Sequence, residues 1–214
     1  MIMKIIALSC SPSKGRNSDT MLDSFIRGAS KVKGIEIEKI YLNDIPFDYY
    51  SFENCLGFSE NEKAFGELTD KIQKAQGLVI ATPTYNFSVP GHLKNFIDRI
   101  RFIALDMEAK SLLDQPKGKL GYLRTYFLVS GGTPVWAEKL LFFAFPPFWL
   151  RGVFLYFGAK VMGAIYTGDV HSFKNKSIDK KCCKEGEHYA WDLVLNRKHG
   201  WLEELFFRPP QSHK

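Results

Sequence analysis

Three stretches of the chain concentrate groups that bind small molecules. The first, SCSPSKGRNSDT over residues 9–20, sets Ser9, Ser11, Ser13, Asn17, Ser18 and Thr20 around the point where a helix is expected to begin. Hydroxyls, an amide and the free N–H groups of a helix start all donate hydrogen bonds, and the positive end of the helix dipole attracts an anion. The stretch has one glycine, Gly15, and matches neither GxxxxGKS/T nor GxGxxG, so the readings as a nucleoside triphosphatase or a dinucleotide site lose their main support. A compact phosphate monoester suits it better, because side chains reach a PO3 group without bare backbone having to skirt a pyrophosphate. The same composition would also serve a loop that only caps a helix, with Asn17 or Ser18 as the cap.

The second stretch is ATPTYNFSVPGHLKNFIDR over 81–99. Pro83 and Pro90 stiffen it, Tyr85 and Phe87 offer flat faces, and the backbone N–H groups of Thr84, Tyr85, Asn86, Phe87 and Ser88 are expected to be committed to no helix or strand. A planar ring fits that description, and so does an aromatic turn packed on the helix that follows. His92 falls in the first turn of that helix, where a capping or surface role is the expectation rather than proton transfer. The third stretch, SGGTP over 130–134, has Gly131 and Gly132 beside Ser130 and Thr133, which lets backbone come close to a flat ligand.

What positions these loops is an alternation of short β-type runs with longer runs of helical period, the mark of βαβ units around a parallel sheet. Strands are expected at 4–9, 35–42, 77–83, 120–130 and 159–168. The first, third and fourth are nearly continuous apolar runs that suit strands buried on both faces, whereas IEIEKIYL alternates and belongs at an edge. Met21, Leu22, Phe25, Ile26, Ala29 and Val32 form one helical face, and Leu93, Phe96, Ile97, Ile100 and Ile103 another, with Lys94, Asp98 and Arg101 toward solvent. Further helices are expected in 61–75, in parts of 135–157 and in 187–206. The right-handed crossover rule then favours an α/β, doubly wound five-stranded parallel sheet of order 2-1-3-4-5 with helices on both faces, the flavodoxin-like arrangement. In such a sheet the three stretches meet where strand order reverses, between strands one and three.

The motifs SCSPSKGRNSDTML, TPTYNFSVPGHLKNFIDR and KGKLGYLRTYFLVSGG, in this order and spacing, resemble the NADPH-dependent FMN reductases and their relatives, the quinone reductases and iron-sulfur flavoproteins. The likeness runs over roughly residues 3–170, and its second motif is the most specific. It implies an FMN-dependent enzyme that takes a hydride from NAD(P)H and passes it to a quinone, a nitroaromatic, another flavin or a similar small acceptor. By the same resemblance Ser11, Asn17 and Ser18, among the cluster Ser9, Ser11, Ser13, Arg16, Asn17 and Ser18, hold the FMN phosphate. Pro83, Thr84, Tyr85, Asn86 and Phe87 contact the ring, and Ser130, Gly131, Gly132 and Thr133 flank it. No side chain is assigned as acid, base or nucleophile. Where the family often has glycine and arginine this chain has Cys10 and Ser13, leaving Lys14 or Arg16 to supply positive charge. One thiolate, Cys55, follows strand two, and a cluster cannot be built from it. Family habit also implies a homodimer. A flavodoxin-like electron carrier and a cofactor-free interaction protein on the same fold are the alternatives, the carrier being disfavoured by a basic chain.

The remaining features bound this reading. The 214 residues suit one domain, 1–214, with a C-terminal helical extension over 180–206. The net charge of +6 is compatible with nucleic acid, anionic membrane or a phosphorylated ligand; Asp179, Glu185, Glu187 and Asp192 interrupt the Lys174–Lys198 basic run, which reads as a solvated face, not a nucleic-acid module. The opening MIMKIIALS is too short and too charged for a signal peptide, and Cys10, Cys55, Cys182 and Cys183 do not form a disulfide spacing, so a reducing cytoplasm is expected. A metal site at Cys182, Cys183 and His188 lacks further evident ligands. In 140–158, Pro146, Pro147, Arg151 and Gly152 interrupt any membrane span, leaving a broken amphipathic helix whose aromatics pack on the sheet or on a second subunit, or touch a membrane shallowly. Phe47, Tyr49, Tyr50, Phe52 and Phe58 are read either as a lid over the ligand or as packing.

Overall fold

In a computed structural model, residues 2–110, 115–140, 146–168 and 176–196 are described. The elements run β1 (Met3–Ser9), α1 (Asn17–Ala29), β2 (Ile35–Tyr41), α2 (Lys63–Lys74), β3 (Gly77–Pro83), α3 (Gly91–Arg99) and α4 (Arg101–Ala104). There follow β4 (Leu105–Lys110), β5 (Pro116–Gly118), β6 (Arg124–Ser130), α5 (Val135–Leu140), α6 (Pro146–Tyr156), β7 (Lys160–Thr167) and α7 (Lys176–Val194). Strands β2, β1, β3, β6 and β7 lie side by side in that order, all parallel. This is the flavodoxin-like 2-1-3-4-5 order that the βαβ alternation and the crossover rule predict.

Strand residues alternate between two apolar layers. Ile6, Leu8, Leu78, Ile80, Phe127 and Val129 pack against Phe65 and Leu68 of α2, Leu93 and Phe96 of α3, and Leu150 and Phe154 of α6. On the opposite face Ile5, Ala7, Val79, Ala81 and Leu128 meet Met21, Leu22 and Phe25 of α1 and Cys182, Tyr189 and Leu193 of α7. Both faces of the central strands are therefore covered, which is why β1, β3 and β6 read as unbroken apolar runs. β2 stands at the edge, with Glu36 and Glu38 exposed.

The larger departures from the sequence expectation lie in β6, after β3 and in α7. β6 begins at Arg124, not residue 120, because Leu123 donates its N–H to the Leu120 carbonyl and closes a turn. The helix after β3 breaks at Ile100 into α3 and α4, and the chain then forms an antiparallel β4–β5 pair that periodicity had not indicated. α7 begins at Lys176 rather than 187 and ends at Val194; the expected continuation to 206, like Lys174, Arg197 and Lys198, lies outside the described residues. Its run KKCCKEGEH passes close over α1, because a Cβ on Gly28 would collide with the Cys183 carbonyl and one on Gly186 with the Phe25 carbonyl. Cys182 is thus a core residue, its thiol pushed up to about 12 by burial. Among the described residues no group of His, Cys, Asp or Glu is placed to hold a metal.

The segment 45–58 is a shelf over α2 and α3. Phe47 packs on Phe65 and His92, and Phe58 on Phe65 and Phe102. His92 Nε2 lies 3.0 Å from the Leu42 carbonyl, so this ring anchors the shelf. Asn95 takes the Tyr50 N–H and donates to the Asp48 carbonyl, and a buried Glu62–Arg99 pair holds Asp48 and Gly57. Tyr49 and Phe52 stand clear of this packing in solvent. Among the described residues no helix is long and apolar enough to cross a membrane.

Candidate functional site

The carboxyl ends of β1, β3 and β6 open into a cleft of 290 Å³. The first loop gives it Ser11, Ser13, Arg16, Asn17 and Ser18, the second Pro83, Thr84 and Tyr85, and the third Ser130, Gly131 and Gly132. Three loops far apart in sequence meet because β1 lies between β2 and β3, so the chain leaves β1 at the point where strand order reverses.

The start of α1 supplies the pull on an anion. Its N-cap is Arg16, not Asn17 or Ser18, and no side chain caps the helix. Arg16 has no short acceptor with which to close the first turn; its carbonyl takes the Thr20 N–H and hydroxyl instead. The Ser18 hydroxyl is 99% hidden yet has no hydrogen-bond partner, and the Thr84 hydroxyl is also without one. A buried hydroxyl left unpaired costs about 1–3 kcal/mol, which a ligand atom in the cleft would recover. Gly132 adds room, since a Cβ there would meet nothing within 4 Å. A bound FMN fits this donor set: Arg16 and Ser18 at the helix start suit its phosphate, and Thr84, Tyr85 and Gly132 suit its ring system.

Asp19, in the same first turn, is buried, accepts the Gly15 N–H at 2.7 Å and is ion-paired with Lys39 Nζ at 2.7 Å. Burial opposes its charge, but Lys39, the Gly15 N–H and the nearby Ser9 prevail and hold its carboxyl below the usual range. Lys39 also bonds Asp23 at 2.5 Å; burial works against its charge, and the two carboxylates hold it above the ordinary lysine value. Ser9, a candidate site residue from the hydroxyl cluster of the first loop, faces this carboxylate and lies outside the cleft lining. Lys14 is drawn away to Asp44 at 2.5 Å and over the Tyr41 ring, so Arg16 is the cation that lines the cleft. Cys10 is a core residue whose thiol burial raises far above its usual value, and it lines none of the cleft.

The ring-side loops are more committed than their sequence suggests. Thr84 donates its N–H to the Ser130 carbonyl at 2.7 Å, Tyr85 and Ser88 bond each other reciprocally, and Gly131 donates to Thr167. Asn86 and Phe87 form the tip of this hairpin with φ of 50° and 63°, outside the cleft lining and exposed. Among Thr84, Tyr85, Asn86 and Gly132, the backbone N–H groups of Asn86 and Gly132 are the ones left over. The Tyr166 hydroxyl pins the third loop through the Thr133 carbonyl. Asp19 and Lys39, central to this geometry, escaped the sequence reading; the signal was an acidic residue in a first helical turn facing a lone lysine in an alternating edge strand. A larger hollow of 410 Å³ on α6, lined by Phe148, Trp149, Gly152, Val153 and Tyr156, presents no charged side chain.

An anion-seeking helix start at the switch point of a 2-1-3 sheet, faced by an aromatic turn, defines a flavodoxin-like nucleotide cleft. Residues 3–133 match the family described as NADPH-dependent FMN reductase, and the chain belongs to that family. It is 30% identical over 183 residues to an FMN-dependent NADH:quinone oxidoreductase of Mycoplasma pneumoniae, covering 81% of this chain and 88% of the relative. An iron-sulfur flavoprotein of Archaeoglobus fulgidus is 35% identical over 107 residues, 46% of this chain and 49% of that one. In fold it is similar to an FMN-dependent NADH-azoreductase of Bacillus anthracis solved with FMN, with a TM-score of 0.66 at 17% identity over 90% of this chain and 99% of the other.

Proposed function

We propose that this chain is an FMN-dependent NAD(P)H oxidoreductase whose acceptor is a quinone or an azo compound. The observation that carries the reading is the buried, unpartnered Ser18 hydroxyl at an uncapped helix start beside Arg16, in a member of the FMN reductase family. FMN bound there would supply the chemistry of hydride transfer between a pyridine nucleotide and the acceptor. The protein's part is binding and electrostatics. Arg16, Ser18 and the first N–H groups of α1 hold the phosphate. The Thr84 hydroxyl and the Gly132 N–H line the cleft and would donate toward the ring, which would favour negative charge on it. Pro83 and Tyr85 form one side of the cleft. The set of free N–H groups expected over 84–88 is reduced, because Thr84, Tyr85 and Ser88 spend theirs on carbonyls, as does Gly131 in the third loop.

A cytoplasmic homodimer that binds no nucleic acid completes the proposal. The experiment is a visible spectrum of the purified protein with FMN, then anaerobic addition of NADH or NADPH followed by a quinone. Bleaching and recovery at catalytic rates are expected. Flavin binding without reduction would favour an electron carrier, and no flavin binding would refute both.

A further inference from the structure

The cleft carries a contradiction that its lining alone does not explain. Its anion-binding end is the start of α1, yet the third residue of that helix, Asp19, is itself a carboxylate, with a side chain 2% exposed. Asp19 takes the Gly15 N–H at 2.7 Å, so it occupies part of the positive field that an incoming phosphate would use. Other carboxylates nearby matter less. The Lys14–Asp44 pair is more than half exposed on both sides, and water and salt screen it. Asp19 is not screened in this way, and its compensation is local: Lys39 Nζ, reaching across from β2, sits 2.7 Å from Oδ1.

We propose that Lys39, acting through Asp19, sets the preference of this cleft for a phosphorylated flavin over its dephosphorylated form. It is a positioning residue: paired with Asp19, it lets that carboxylate fold the loop onto the helix start through Gly15 while cancelling the charge that would repel a phosphate. Without Lys39 the loop is held by an uncompensated buried anion beside the ligand's own anion. Without the Asp19 charge, the helix start faces the phosphate with no opposing anion in its own first turn, while Lys39 keeps its 2.5 Å pair with Asp23. The unpartnered Ser18 hydroxyl, one residue earlier on the same turn, marks the place where the ligand oxygen is received.

The inference rests on the flavin reading and is tested by the ratio of two affinities in one protein. Dissociation constants for FMN and riboflavin, which differ only in the phosphate, are measured by fluorescence quenching for the wild type, Lys39→Gln, Asp19→Asn and the double variant. Lys39→Gln is expected to lower the riboflavin-to-FMN ratio of constants about tenfold, Asp19→Asn to raise it, and the double variant to return it near the wild-type ratio. A merely structural pair would weaken both ligands together, and an unchanged ratio in Lys39→Gln, or a fall in Asp19→Asn, overturns the proposal. A wild-type protein that binds neither ligand refutes the flavin site itself, an outcome distinct from an unchanged ratio.

Discussion

The guanidinium of Arg99 grips both oxygens of the Glu62 carboxylate, at 2.7 and 3.0 Å, where Arg99 is fully buried and Glu62 nearly so. Arg99 also bonds the carbonyls of Asp48 and Gly57, and Glu62 takes the N–H groups of Asp48 and Ser59. One ion pair thereby fixes both ends of the aromatic shelf to α2 and α3.

Removing one partner leaves a charge buried without its counterion. Glu62→Gln should cost about 3–5 kcal/mol in urea unfolding. The Arg99 hydrogen bonds, opposed by burial and aided by the Ser59 and Asp48 N–H groups, hold the Glu62 carboxyl down at about 2. A depressed carboxyl stabilises the fold fully above its ordinary value of 4.5 and loses that contribution as pH falls toward 2. About 3 kcal/mol should therefore disappear across that window in the wild type, and this share of the loss should be missing in Glu62→Gln.

Ser18 offers a sharper separation of folding from binding. Because its hydroxyl has no partner in the protein, Ser18→Ala should leave unfolding stability unchanged or slightly raised while weakening FMN about tenfold. Arg16→Ala should weaken FMN at least as much, whereas Lys14→Ala, already spent on Asp44, should change it by no more than about twofold. Equal losses from Arg16 and Lys14 would reassign the cation.

The close crossing of α1 and α7 should be intolerant of a single methyl. Gly28→Ala and Gly186→Ala each drive a Cβ into backbone, not into a movable side chain, and should lower stability by about 2 kcal/mol or more. Alanine favours helix over glycine by about 1 kcal/mol, so a gain in melting temperature would show that the crossing is looser than its geometry.

The apolar hollow on α6 is where a second copy is expected to sit. Phe148→Ser with Trp149→Ser should move the protein toward monomer on size-exclusion chromatography, with Leu150 and Phe154 still holding α6 to the sheet. A dimer that survives both changes would place the subunit interface elsewhere.

Much of this architecture is legible in the sequence because strand burial writes itself as runs: IIALS, LVIAT and YFLVS each bury every residue. The three loops are legible too, since topology brings them together once strand order is known. What periodicity hides is pairing at a distance. Arg99 sits between Asp98 and Ile100 like any solvent-facing helix residue, and its partner is 37 positions away. The early start of α7 is hidden for another reason: KKCCKEGEH reads as a charged surface with a helix-weakening glycine, and that glycine is what admits α1. Commitment of backbone donors is hidden as well, since nothing in the letters TPTYNFS reveals that Thr84 reaches Ser130.

The left-handed tip at Asn86 and Phe87 has a cost of its own. Two-residue hairpins of this kind favour Asn-Gly, and Asn86 meets the first preference, but a phenylalanine in that conformation gives up about 1 kcal/mol or more relative to glycine. Selection for thermal robustness alone would have written Asn-Gly there. Phe87→Gly should therefore raise the melting temperature, and measuring its FMN affinity and turnover alongside tells whether the large ring at this strained position serves the site.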